Sequence, residues 1–141
     1  MNAYAKSADA YLTQRILAAN PEQQAALIME AGQLHLGKAI QSLSQNDLCL
    51  TSRHLYRVSE VISEATARLN QEEGGPLVQR LEKLYEWWAK EVVMACDARD
   101  TRRLAQVANQ MGEIRQAWEY LHEKKHGSTE GALASFGSQV V

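Results

Sequence analysis

The chain has 141 residues, 45% of them apolar and 23% charged; this suits one globular domain with a single core and argues against wholesale disorder. Seventeen acidic side chains against fifteen basic ones give a formal charge of −2, too weak a field to attract nucleic acid or an anionic membrane. No apolar run approaches the roughly 18 residues of a membrane span. Lys6, Asp9 and Arg15 interrupt the opening residues where a signal peptide would need an apolar core, so a cytosolic protein is expected. Cys49 and Cys96 match no metal-ligand spacing and read as reduced thiols.

Ala, Leu, Gln and Glu are plentiful, Val, Ile and Thr are sparse, and the prolines are confined to Pro21 and Pro76, which favours helix throughout. Residues 1–19 form a short N-terminal capping segment or helix with Tyr4, Tyr11, Leu12, Ile16 and Leu17 as its apolar content. Asn20-Pro21-Glu22-Gln23 then opens the first long helix: Asn caps, and Pro suits the first position because its missing N–H costs nothing there. That helix is predicted over 21–44, a second over 48–70, a third from Pro76 to 95 after the Gly74-Gly75 break, and a fourth from about 101 to 125, capped by Asp100 or Thr101. The Gly- and Ser-rich stretch 127–141 reads as a flexible C-terminal tail. Short connections between long helices predict an all-α, antiparallel up-down four-helix bundle over residues 20–126.

Each helix carries an apolar stripe at three- and four-residue spacing. Gly32, Leu36 and Leu43 mark it in the first helix and Val58 and Ile62 in the second; Tyr85, Trp88 and Val92 mark it in the third, and Val107, Met111 and Trp118 in the fourth. Two helices carry a further apolar side. Leu27, Ala31 and Leu34 lie roughly 150° from the first stripe, and Trp87 and Met94 roughly 130° from the third. A lone bundle does not need such second faces. They are candidates for a groove that holds a foreign helix, with Met as an adaptable contact and Trp as a large one. Residues 1–19, through Tyr11, Leu12 and Ile16, are a candidate lid over that groove. A dimer partner is the other way to cover it, so the free chain is expected as a monomer or weak homodimer.

Catalytic chemistry finds little purchase. A di-iron bundle needs a Glu-x-x-His pair on each of two helices, whereas Glu119 with His122 and Glu123 with His126 both fall at the end of the fourth helix, and His35 and His54 have no Glu three positions before them. No Cys-x-x-Cys-His attaches haem, and Gly74-Gly75-Pro76 lacks the Lys-Ser/Thr sequel of a phosphate loop. The expectation is a non-enzyme without cofactor or catalytic residues. A metal- or haem-binding bundle and a structural homodimer are the alternatives.

With the helices placed, several motifs fall into a familiar order. Ala10-Tyr11 and Ala19-Asn20-Pro21 precede the first long helix; Asn46-Asp47 makes a short acidic turn; Val61-Ile62-Ser63-Glu64 and Leu69-Asn70 close the second helix. Leu84-Tyr85, Ala95-Cys96 with Asp100, and Ile114-Arg115 with Ala117-Trp118 follow. In order and spacing over about residues 4–120, the chain resembles the flagellin-specific export chaperones, the FliS family. Met29, Ala31 and Cys96 stand where that family has Tyr, Gly and Asn. The resemblance implies a cytosolic chaperone that binds the disordered C-terminal segment of flagellin and keeps it from premature polymerisation. The bound segment wraps the bundle, and an N-terminal segment covers part of the groove when the chaperone is free. It also points to contacts with the flagellar export gate or an anti-sigma factor.

Overall fold

The computed structural model describes residues 20–69 and 71–126; the candidate lid and tail lie outside them. Four helices follow one another: α1 Pro21–Ser44, α2 Leu48–Ala67, α3 Gln71–Asp97 and α4 Thr101–His126. They pack antiparallel as an all-α bundle. Helix α1 lies between α2 and α4, and α3 closes the ring against the same two helices less intimately. Helices α1 and α3 therefore stand on a diagonal.

The helix ends follow from local chemistry. Asn20 Oδ1 accepts the Gln23 N–H at 2.9 Å, and Pro21 occupies the first position. At the α1–α2 turn Asn46 adopts φ 60°, and the Asp47 N–H returns to the Ser42 carbonyl at 2.9 Å. This left-handed closure satisfies carbonyls that the helix end leaves open. Asp47 then caps α2 by accepting the Leu50 N–H. The α3–α4 turn repeats the device: Arg99 has φ 54°, the Asp100 N–H reaches the Ala95 carbonyl, and Asp100 accepts from the Arg103 N–H. One aspartate thus finishes one helix and starts the next at each turn. Gly75, at φ 54° and ψ −140°, breaks the helical run near the start of α3. Pro76 follows at the expected place, but a short helical piece precedes the break.

The predicted stripes meet in one core. Met29, Leu36 and Leu43 of α1 pack with Val58 and Ile62 of α2, with Tyr85, Trp88 and Val92 of α3, and with Leu104, Val107 and Met111 of α4. Leu48 and Leu77 fall in phase with the stripes of their helices yet are exposed. Each sits at the start of a helical run, where fewer neighbours overhang it. Inside the seam between α1 and α2, Ser42 Oγ and Thr51 Oγ1 are 2.8 Å apart, and the buried His35 ring stacks on His54 at 5.9 Å.

Two glycines set the spacing around α1. A Cβ at Gly32 would lie 2.7 Å from Met111 Sδ and 3.2 Å from Val61 Cγ1. One at Gly112 would lie 2.6 Å from Gln33 Nε2, which donates to the Ala108 carbonyl. At position 32 overpacking, worth about 1–3 kcal/mol, competes with the roughly 1 kcal/mol by which Ala is the better helix former. Met111 is fully buried, so the steric effect wins. Gly32→Ala is expected to lower unfolding free energy by about 1 kcal/mol in urea titrations followed by circular dichroism. Arg99→Gly should act oppositely, gaining about 0.5–1 kcal/mol by relieving a left-handed conformation that disfavours a side chain.

Candidate functional site

The strongest catalytic pattern in the sequence serves structure. Glu119 pairs with Arg115 at 3.1 Å, and Asn20 Nδ2 donates to His122 Nδ1 at 2.9 Å, tying the end of α4 to the start of α1. Among the described residues no three His, Cys, Asp or Glu side chains gather as a metal site. Both thiols are free, Cys49 exposed and Cys96 half-buried, and burial pushes the Cys96 thiol above its ordinary pKa.

Helix α3 has two contrasting faces. Trp88 is fully buried, and its indole N–H donates to Gln110 Oε1 on α4 at 2.7 Å. Tyr85 lies against it, ring centroids 5.0 Å apart. Burial raises the Tyr85 phenol above its usual pKa, against the opposing effect of a hydrogen bond with Trp118. A turn above Trp88, Arg103 of α4 grips Glu91 with two guanidinium nitrogens at 2.9 and 2.7 Å. These hydrogen bonds hold the Glu91 carboxyl below its usual pKa. The opposite side of α3 is open: Trp87 is 44% exposed and Met94 57% exposed.

The five residues singled out for a groove are not brought together. Trp87 and Met94 share one face of α3, whereas Leu27, Ala31 and Leu34 belong to α1, across the diagonal. Leu27 is buried at 8% exposure, while Ala31 and Leu34 are half-buried. The open apolar surface therefore lies on α3.

A cavity of about 290 Å³ lies where the start of α1 meets the end of α2, lined by Ile28, Met29, Ala65, Leu69, Tyr85 and Trp118. Trp118, placed in the core by its phase, is half-buried at this cavity, because α4 is already near its end there. The sequence reading did not single out the cavity, since it depends on how four helix ends splay. It also missed the exposed Val93, Tyr56 and Tyr120. Val93 stands six residues from Trp87, off the main stripe, and its phase was a usable signal.

The described residues thus form an all-α bundle with Trp87 and Met94 left open on the outer side of α3. The comparisons place it more closely. The family described as "Flagellar protein FliS" matches residues 3–125, and the chain belongs to that family, a family of flagellar secretion chaperones and not of enzymes. The chain is similar to the flagellar secretion chaperone FliS of Vibrio cholerae, 24% identical over 92% of this chain and 93% of the relative. It is also similar to that of Salmonella typhimurium, 24% identical over 77% of this chain and 82% of the relative. The Pseudomonas aeruginosa chaperone FliSB is 26% identical over 72% of this chain and 80% of the relative. No described helix is long and apolar enough to cross a membrane.

The clamp between α3 and α4 has a pH signature. A carboxyl whose folded pKa is depressed stabilises the fold above its unfolded value, and that stabilisation is lost as pH falls through the folded value. Acid titration from pH 6 to about 3 should therefore destabilise the native protein more than Glu91→Gln, which lacks the group. Chemical unfolding at each pH reads the difference.

Proposed function

We propose that this chain is a cytosolic export chaperone that binds the disordered C-terminal region of flagellin, prevents its premature polymerisation and keeps it competent for flagellar secretion. The observation that carries this reading is the exposed Trp87 and Met94 on a helix whose inner face is firmly packed. In a secretion-chaperone family, such a face suits an amphipathic segment that would otherwise self-associate.

A segment that folds on binding gives up about 2–5 kcal/mol of the gross interaction in ordering itself. A large contact surface offsets that cost, which favours a client that wraps the bundle instead of filling one groove. Under this reading Trp87 and Met94 hold one stretch of client. Ala31 and Leu34 hold another on the far side, and Leu27 joins them after a local rearrangement. Residues 1–19, through Tyr11, Leu12 and Ile16, act as the displaceable cover, and 127–141 as a tail outside the chaperone domain. Contacts with the export gate or an anti-sigma factor belong to the same proposal. A metal-binding bundle is disfavoured because Glu119 and His122 are both engaged in helix-to-helix and intrahelical contacts.

The test is calorimetric titration of the purified protein with the C-terminal flagellin segment of the same organism. One-to-one binding with a negative heat-capacity change is expected; absence of binding at high micromolar concentration would overturn the client assignment. Trp87→Ala should weaken the complex by about 2 kcal/mol, roughly thirtyfold, with melting nearly unchanged. Trp88→Ala should instead cost about 3–5 kcal/mol of stability, as befits a fully buried ring.

A further inference from the structure

The open face of α3 is more than apolar. Arg80, Lys83, Trp87, Lys90 and Met94 follow one another at spacings of three, four, three and four, the repeat of a coiled-coil seam. All five are exposed. At about 100° per residue they fall within a band roughly 80° wide, and the run from Arg80 to Met94 is about 21 Å long. Glu91 borders this band on one side, its carboxylate turned to α4 and held by Arg103, and the exposed Glu86 lies about 40° beyond the other edge. Among the described residues, no ion pair engages Arg80, Lys83 or Lys90, in contrast to Arg57, Arg68, Arg103 and Arg115. A seam with Trp87 at its centre and Met94 at one end thus carries three unspent cations.

We propose that this seam docks an acidic amphipathic helix of a partner protein, one with carboxylates at three- and four-residue spacing flanking apolar residues that cover Trp87 and Met94. Charge complementarity selects the occupant. A second copy of this chain would set the same cations against one another, so self-pairing through α3 is opposed. A membrane surface would be served by the cations, but two apolar side chains are a shallow anchor for it. A helix of four turns matches the length of the seam. It lets the Lys and Arg stems lie along its apolar stripe while their charged ends reach its carboxylates. The inference takes from the chaperone reading only that the outer face of α3 is a docking surface.

The probes are two synthetic 18-residue helical peptides, identical in their Leu stripe and bearing either Glu or Lys at the flanking positions, together with vesicles containing phosphatidylserine. They are titrated against the full chain and against an R80E/K83E/K90E variant. The Glu peptide is expected to bind and to weaken roughly tenfold in the variant, three exposed ion pairs each contributing a factor of about two. Its affinity should also fall as salt is raised. Circular dichroism should find the variant as helical as the parent, since all three positions are exposed. Equal binding of the Lys peptide, an unchanged affinity of the variant for the Glu peptide, or vesicle binding in place of peptide binding would overturn the proposal. The flagellin segment separates the two readings. If it binds the parent and the variant alike, the chaperone stands and the acidic-helix seam falls as its client site. If it binds neither while the Glu peptide binds as expected, the seam stands and the flagellin assignment falls.

Discussion

How closely α1 approaches its neighbours governs the rest of the bundle. With hydrogen in place of a side chain at Gly32, Met111 and Val61 press directly onto the α1 backbone, and Gly112 admits Gln33 in the same way from α4. Three helices thereby form a tight layer, α2–α1–α4, whose seams leave little room for adjustment. Helix α3 cannot come as near, because Tyr85 and Trp88 stand between it and the layer. It is held at that larger separation by bulk and by directional contacts to α4, among them the Trp88 indole on Gln110 and the Arg103 fork on Glu91. Bulk supplies burial, whereas hydrogen bonds fix rotation about the helix axis. That rotation decides which side of α3 meets solvent, so the polar contacts behind the helix determine the surface in front of it.

The surface so presented explains why apolar residues are tolerated on the outside. An exposed tryptophan beside an exposed methionine is an aggregation liability unless something meets it. The cations around Trp87 mitigate this by keeping like surfaces apart while leaving the face open to an oppositely charged one. The arrangement also separates the two apolar sides geometrically. Leu34 and Trp87 sit on diagonal helices, and no straight segment touches both. A ligand that uses both must turn around the bundle, which is a route open to an unfolded chain and closed to a rigid domain.

Much of the scaffold was legible in the sequence because its signals are local. Asn20-Pro21 starts α1, Asp47 and Asp100 each start a helix, and Gly75-Pro76 marks the irregularity in α3; in each case the residues involved are within a few positions of one another. The apolar stripes were legible for the same reason. What the sequence could not decide was which second stripe stays open. Leu27 and Trp87 are equivalent by phase, yet one is buried and the other is not. Trp118 and Trp88 are likewise both in phase with the core, and only Trp88 is enclosed, because Trp118 lies where the helices are running out. Those differences come from the distances between helices, and periodicity along one helix carries no information about them. Glu119 and His122 teach the converse: a spacing suited to a metal was equally suited to a surface ion pair and an end-to-end hydrogen bond.

The balance of forces on the α3 face also bears on how a chaperone of this family lets go. A docking surface made of large buried apolar pockets gains affinity chiefly through slow dissociation, which is a poor property for a carrier that must surrender its client intact. Charges at the margin act differently: they accelerate encounter and fix register while adding little to the depth of the well. If Trp87 and Met94 are the apolar contacts, as proposed, the exposed Arg80, Lys83 and Lys90 on the same face put α3 in the second regime. The affinity that such a face lacks would have to come from additional contacts elsewhere on the bundle, which a client wrapped as proposed would supply as separate, individually weak segments. Under the wrapped-client proposal each segment could detach without the others, and release would be stepwise, with no single barrier set by the whole interface.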